Sequence, residues 1–404
     1  MKSEKYILVV YSILILSPLL ALPFIIYGIY HQYKGCQTAL AVFMSLLAFL
    51  TAPVGDLFRH TLMYFAMETY SYERFVHTID FDFIMQFLEY FMAKHNIPFE
   101  FLRLAYTFIS YSILNYIFNH LISNSDCIYK KSEYFNRYML TFMSMNFFVL
   151  VLGVRYLFAT SVFTLGVYYY LCEGKKTFAL LFMCLSIFIH YSLFYYGLFI
   201  FLFIHIKMNK QTFLFSLILG LIISDVLISQ FESILVEQNL QGSSYLGDGK
   251  WGKGFKEQLD LKEIIYMYVS YIPCLFTVIY AIKRIKKGRI YVYFTTLALL
   301  IAITFSLGSV SGRITKIFYL GIPMLVLWEE RRDKRKMAQR YYNAIFFSMV
   351  LLYAATILGM RNPLHHSDYQ YIAAPAPIIL THQYNKDWIY QHVNNDGSGK
   401  YRDE

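Results

Sequence analysis

A chain of 404 residues that is 57% hydrophobic and only 15% charged is not an ordinary soluble domain, which carries about 25% charged residues. Its mean hydropathy of +0.44 sets much of it against lipid or other helices. The net charge of +10 does not describe a nucleic-acid footprint: the basic residues fall in short runs beside apolar segments, at Lys130-Lys131, Lys175-Lys176, Lys283 to Arg289 and Arg331 to Lys336, a pattern that reports membrane orientation.

A membrane span takes about 20 apolar residues. In chain order the candidate spans are 7–30, 38–53, 98–121, 138–154, 156–172, 177–190, 191–206, 212–229, 263–282, 290–308, 314–328 and 341–360, about twelve by that length rule. The expected fold is therefore an all-α polytopic membrane protein. Ile7–Tyr30 follows a short charged start and has no small-residue cleavage site, so it reads as a retained first helix rather than a signal peptide. Arg155 alone separates spans 138–154 and 156–172, and no connector separates 177–190 from 191–206. Both pairs read as tight hairpins, bent at Arg155 and at His190.

Residues 1–360 read as one integral membrane domain. If the basic runs are cytoplasmic, parity sends segment 54–97, Arg155, His190, loop 230–262, the tail 361–404 and both termini to the far face. Within 54–97, Phe81, Ile84, Phe87, Leu88 and Phe91 recur near a helical period, predicting an amphipathic helix over Phe81–Lys94 that lies on that face. Loop 230–262 is glycine-rich. The tail carries Pro363, Pro375 and Pro377, and its polar end is expected to be disordered. The five cysteines have no metal-ligand spacing, and no disulfide is expected.

The residues suited to chemistry sit at span ends. Asp56, Arg59 and His60, at i, i+3 and i+4, share one helix face. A carboxylate beside a guanidinium and an imidazole can hold a polar substrate or accept a hydroxyl proton; the plain alternative is a helix N-cap at Pro53-Val54-Gly55-Asp56. Arg155 and Arg313, with Lys316 a helper, are guanidiniums suited to bidentate phosphate binding, or else they snorkel to an interface. His190 suits a base or phosphate donor, with Ser192 and Tyr195 on the same wall, or it caps a helix end. Asp80-Phe81-Asp82 resembles a metal-holding D-x-D pair but more simply starts the amphipathic helix. Glu100 and Arg103, one turn apart, are expected to pair. No metal site and no phosphate-binding glycine loop is evident.

In this order, these features resemble the EpsG/Wzy-like family of bacterial polysaccharide polymerases. The family's G-x-D motif corresponds to Pro53-Val54-Gly55-Asp56-Leu57-Phe58-Arg59-His60, followed by Tyr64. An acidic, aromatic stretch corresponds to Ile79-Asp80-Phe81-Asp82-Phe83. The R-Q-x-x-A hairpin corresponds to Arg155-Tyr156-Leu157-Phe158-Ala159, with Tyr156 in place of Gln, and the I-H-x-S motif to Ile189-His190-Tyr191-Ser192. Arg313 opens a late span. The resemblance covers roughly residues 50–330.

It implies a fold of the GT-C glycosyltransferase kind in the bacterial inner membrane, with the site on the periplasmic or outer face. Its implied substrate is an undecaprenyl-diphosphate-linked glycan, without nucleotide sugar, metal or other cofactor. A chain-length regulator and a flippase are candidate partners, beside the lipid bilayer; nucleic acid is not. In this reading Asp56, Arg59, Arg155, His190 and Arg313 are catalytic, and His60, Tyr64, Tyr156, Ser192, Tyr195 and Lys316 bind substrate. The rival classes are a flippase or transporter of lipid-linked sugars, which should show paired repeats and midplane charges, and an O-antigen ligase-like transferase, which typically has a larger periplasmic domain.

Overall fold

A computed structural model describes residues 2–81, 83–206, 209–237, 261–334, 336–359 and 361–394. Asp82, most of loop 230–262 and the last residues of the tail lie outside the described residues. In chain order the helices are α1 (Lys2–Leu16), α2 (Pro18–Tyr30), α3 (Lys34–Phe49), α4 (Asp56–Met67), α5 (Tyr72–Thr78), α6 (Phe83–Lys94), α7 (Phe99–Ser123), α8 (Lys131–Ser144), α9 (Phe147–Leu152) and α10 (Tyr156–Leu171). There follow α11 (Lys176–Ile189), α12 (Ser192–Ile204), α13 (Lys210–Glu237), α14 (Leu261–Arg284), α15 (Arg289–Ile303), α16 (Gly308–Asp333), α17 (Gln339–Gly359), α18 (Arg361–His366), α19 (Ala376–Ile379) and α20 (Lys386–His392). Among the described residues there is no β-strand.

Four stretches are long and apolar enough to cross a membrane: Lys131–Leu152, Ile264–Lys287, Gly308–Asp333 and Gln339–Gly359. Six shorter apolar helices accompany them. Large apolar side chains stand exposed along several helices, among them Leu16 and Leu20, Phe201 and Leu202, and Phe215 and Ile222. Exposed apolar surface on this scale marks a lipid-facing protein.

The chain divides into two compact units: Met1–Gly166, Leu180–Tyr191 and Met360–Glu404 form the first, and Val167–Ala179 with Ser192–Gly359 form the second.

In the first unit, residues 7–30 form two helices and not the single span expected. Ser17 is extended and Pro18 begins a new helix at its first position, where proline's missing N–H costs nothing and its ring ends the preceding helix. The chain then doubles back: the Tyr6 hydroxyl, early in α1, donates to the Phe24 carbonyl at 2.7 Å, and the Tyr6 and Tyr27 rings lie 5.8 Å apart. α1 and α2 are thus an antiparallel hairpin.

α3 packs along α7. Polar side chains stitch the helices here: Gln37 donates to the Tyr134 hydroxyl at 2.9 Å, the Asn115 amide to the Gln37 carbonyl at 3.1 Å, and the Tyr138 hydroxyl to the Asn115 side-chain oxygen at 3.0 Å. Such bonds hold helices together where solvent offers no partners. Helix directions follow from the α7 contacts. Going along α7, Tyr106 bonds Val151, Tyr111 stacks on Phe142 and Asn115 meets Tyr138, so α8 and α9 run antiparallel to it. Tyr106 also meets Phe158, and Ser110 meets Ser161, so α10 runs parallel. The chain therefore reverses between α9 and α10, at Arg155.

One end of this unit gathers Lys34, bonded to Ser123 at 3.1 Å, and Lys131, 2.9 Å from His31. The other end holds the exit of α3, the start of α7, the 153–155 turn and α4. A strap formed by residues 367–393 closes over it. Ser367 accepts from the Ala52 N–H at 2.8 Å, the Asp368 N–H donates to the Leu50 carbonyl at 3.2 Å, and the Tyr384 hydroxyl donates to the same carbonyl at 2.7 Å. Tyr384, Ile389 and Val393 complete a small apolar core with Ala52, Val54 and Phe58, against which Leu152 packs.

Under the strap, Glu100 and Arg103 pair at 3.2 Å, nearly fully buried, as their spacing predicts. The Arg103 guanidinium also donates to the Thr51 and Phe49 carbonyls, and Glu100 accepts the Tyr384 N–H at 3.2 Å. A buried charge persists only with this density of partners.

In the second unit α14 packs on α15, α16 and α17, and α15 on α12, α13 and α16. At its basic end Glu329 is buried and accepts from the Tyr291 hydroxyl at 3.0 Å, while Arg284 bridges Glu329 at 2.8 Å and Asp333 at 2.9 Å.

Candidate active site

α4 starts at Asp56 because Gly55 supplies a turn with φ +64°. A Cβ there would meet no atom within 4 Å, so the position demands backbone freedom rather than space. Asp56 and Arg59 lie 3.9 Å apart with both side chains 55% exposed. A pair so open holds its partners weakly, leaving both groups able to meet a ligand.

His60, one residue on, turns inward. Its Nδ1 lies 3.1 Å from Glu89 Oε1, with the His60 side chain 11% exposed and that of Glu89 1% exposed. An ionised carboxylate only accepts, so Nδ1 is the donor in this contact. Among the described residues, Glu89 Oε2 has no protein partner. Glu89 was not among the sequence candidates. Its signal was an acid on a helix otherwise read for its apolar face.

That helix, α6, buries Met85, Gln86, Glu89, Met92 and Ala93. Its apolar row, Phe87, Leu88 and Phe91 with Phe83, is exposed. This is the reverse of a water-soluble helix and the arrangement of one laid against lipid. At its start, Phe83 meets Phe188 at 5.3 Å and Phe81 meets the same ring at 5.6 Å. Phe188 is two residues before His190. The His190 ring in turn meets the edge of Tyr156 at 5.1 Å and stacks on Tyr191. His190 and Tyr156 are both buried.

Arg155 is half-buried, and its carbonyl accepts the Ala159 N–H at 2.9 Å, which places it at the start of α10. The preceding Val154 is fully buried at φ +41°, a region β-branched residues avoid. Packing holds this strained turn, and strain of this kind concentrates at functional sites. The first unit thus brings the motifs around Asp56, Phe83, Arg155 and His190 into one connected set of contacts at one end.

Tyr64 stands apart from that set. It is buried and its hydroxyl donates to the Ile97 carbonyl at 2.7 Å. Burial, with Glu68 and Glu100 adding to it, pushes its pKa up to about 12. It stays a neutral donor, anchoring the chain between α6 and α7.

Arg313, Lys316, Ser192 and Tyr195 belong to the second unit. Arg313 and Lys316 are half-buried near the start of α16. Ser192 is buried at the start of α12, and Tyr195 is 52% exposed. Near Arg313, Ser311 shares a 2.7 Å hydrogen bond with the Tyr271 hydroxyl. Among the described residues no group of three or more His, Cys, Asp or Glu could hold a metal ion.

A search of curated proteins and one of solved structures both return no match. The sequence model of the EpsG family, by contrast, matches residues 34–371, well over half of the chain and every motif described above. The chain belongs to the EpsG family.

Proposed function

We propose that this protein is a polysaccharide polymerase, a glycosyltransferase that joins lipid-diphosphate-linked oligosaccharide repeat units at the outer face of a bacterial cytoplasmic membrane. The observation that supports this most is the grouping, at one end of one unit, of two exposed or half-exposed guanidiniums, Arg59 and Arg155, with the proton acceptors Asp56, His60 and His190. The helix beside them shows lipid-type exposure. The opposite end carries Lys34 and Lys131, which by the positive-inside rule supports an outer-face site.

In the proposed reaction an acceptor sugar hydroxyl attacks the anomeric carbon of the growing glycan. The new C–O bond replaces the bond to the undecaprenyl diphosphate, which leaves as an anion. Arg155 stabilises the charge that builds on the leaving diphosphate, since fixed cations act most strongly where charge develops. The hydroxyl proton passes to Asp56 or to His60 Nε2, with Glu89 holding the imidazole in place; His190 is the alternative acceptor. By the sequence argument alone, Arg313 and Lys316 are further cations for the diphosphate, and Ser192 and Tyr195 further ligands for the substrate.

The test is deletion of the gene in the native host, with surface polysaccharide run on a gel and complementation by wild type, Arg155→Ala and Arg155→Lys. A polymerase leaves single repeat units displayed and no ladder. Neither variant restores the ladder at wild-type protein levels, because lysine lacks the guanidinium fork. Loss of even the single unit points instead to a flippase or ligase, and an unchanged ladder discards the reading.

A further inference from the structure

The first unit has a cavity of about 440 Å³ that lies away from the Asp56–Arg59 face, between α4, the turn before α7 and the strap. Its volume is that of a small-molecule site. Tyr64, Phe99, Glu100 and Tyr384 form a buried floor, and Asn96, Gln383 and Asp387 stand exposed at its rim. Among the described residues, the side chains of Asn96, Gln383 and Asp387 make no hydrogen bond or ion pair. Amide and carboxylate groups therefore converge, uncommitted, above a floor with aromatic rings.

Charge decides what fits. Glu68, Glu100 and Asp387 line the cavity; Lys386 answers Glu68 at 2.9 Å and Arg103 answers Glu100 at 3.2 Å, which leaves Asp387 as the uncompensated charge. Among the lining residues no cation is left over for an anionic diphosphate. A hydroxyl-rich neutral ligand suits the cavity: its hydroxyls both donate and accept, and its C–H faces lie on aromatic rings. Tyr64 is eight residues along α4 from Asp56, about 12 Å by the helix rise, so the cavity takes sugars remote from the reacting bond.

We infer that this cavity is a saccharide subsite that holds the growing or acceptor glycan away from the reacting end, with the strap as one of its walls. The inference rests on the polymerase reading for its role, though not for its binding chemistry. Holding the glycan between transfers favours further extension over release, so the subsite sets chain length rather than the first transfer.

The test uses the full-length protein in lipid nanodiscs, titrated calorimetrically with a single saccharide repeat unit released by mild acid from the host's surface polysaccharide. Wild type binds it, and Gln383→Ala with Asp387→Ala weakens binding about tenfold or more, since each change removes a hydrogen-bonding group. Asn96→Ala, on the opposite wall, acts in the same direction. Gln383 and Asp387 are exposed and unbonded, so the double variant keeps a near-wild-type melting temperature; Asn96 sits at φ +54°, where alanine is less favourable than asparagine, so its variant is titrated well below its own melting temperature. In the host, the double variant still makes a ladder, shifted to shorter chains. No binding by wild type, or unchanged binding and ladder in the variants, overturns the subsite. If deletion of the gene leaves the ladder intact while the variants still lose binding, the subsite stands and the polymerase reading falls.

Discussion

His60 Nδ1 and Glu89 Oε1 meet at 3.1 Å across α4 and α6, with Glu89 withdrawn almost completely from solvent. The contact fixes the imidazole's orientation through Nδ1 and leaves Nε2 outside it. Glu89→Gln keeps the shape and removes the acceptor that selects the tautomer. We predict a fall in polymer formation of about 10- to 100-fold, part of what a positioned base contributes, at unchanged protein level. His60→Gln should cost at least as much, and the double variant little more than His60→Gln alone, because the two act as one unit. Additive losses would separate Glu89 from the chemistry.

The strap should be the mechanical lock of this end. Tyr384 bonds the Leu50 carbonyl and receives the Asp368 N–H at 3.0 Å. Tyr384→Phe removes both bonds and is expected to cost about 1–3 kcal/mol. Arg103→Met leaves Glu100 buried without its cation and should cost more, about 3–5 kcal/mol. Thermal unfolding of the detergent-purified protein gives the ranking, and a stability loss for Tyr384→Phe as large as that for Arg103→Met would contradict it.

Strap docking should also depend on pH. In α18, burial holds the His366 pKa below the ordinary histidine value, with His365 and His392 adding to the shift. The fold thus prefers the neutral ring. Its contribution is fully present above the ordinary value of 6.5 and is lost as pH falls through the lowered folded value. Limited proteolysis of residues 367–394 should accelerate between pH 7.5 and 5 in the wild type. In His366→Asn that acceleration should shrink; an identical acceleration in the variant would clear His366 of the effect.

The α1–α2 hairpin makes a topological prediction. Tyr6 and Phe24 are in contact, so the N-terminus returns to the end where Lys34 and Lys131 sit. A reporter fused before Met1 and one inserted at Ser125 should read the same side of the membrane. Opposite sides would restore a single crossing by residues 7–30.

Pro18 shows where local signals were present and outweighed. Ser17-Pro18 is a legible helix start, yet the surrounding 24-residue apolar run met the length of a span, and hydropathy does not see a reversal. The turn at Arg155 was legible because a charge between two apolar runs has few places to go. The apolar row of α6 was legible too, as periodicity. Glu89 and the strap were not, because their meaning lies in partners far along the chain: Glu89 meets a residue 29 positions back, and Tyr384 one 334 positions back. Periodicity reports which face of a helix is apolar; it carries no information on which distant carbonyl a tyrosine will reach. Arg103 is the intermediate case, its pairing with Glu100 readable from spacing and its three-sided burial not.

The strap also orders events during synthesis. The Leu50 carbonyl emerges from the ribosome hundreds of residues before Tyr384, and at 5–20 residues per second that interval is roughly 15–65 s. Throughout it, Glu100 and the 50–52 backbone wait without their final partners. A chain cut short by a premature stop, even one that has inserted every apolar helix, leaves this end unsealed and open to quality-control proteases. Synthesis of residues 367–393 is thus the step that seals this end of the first unit.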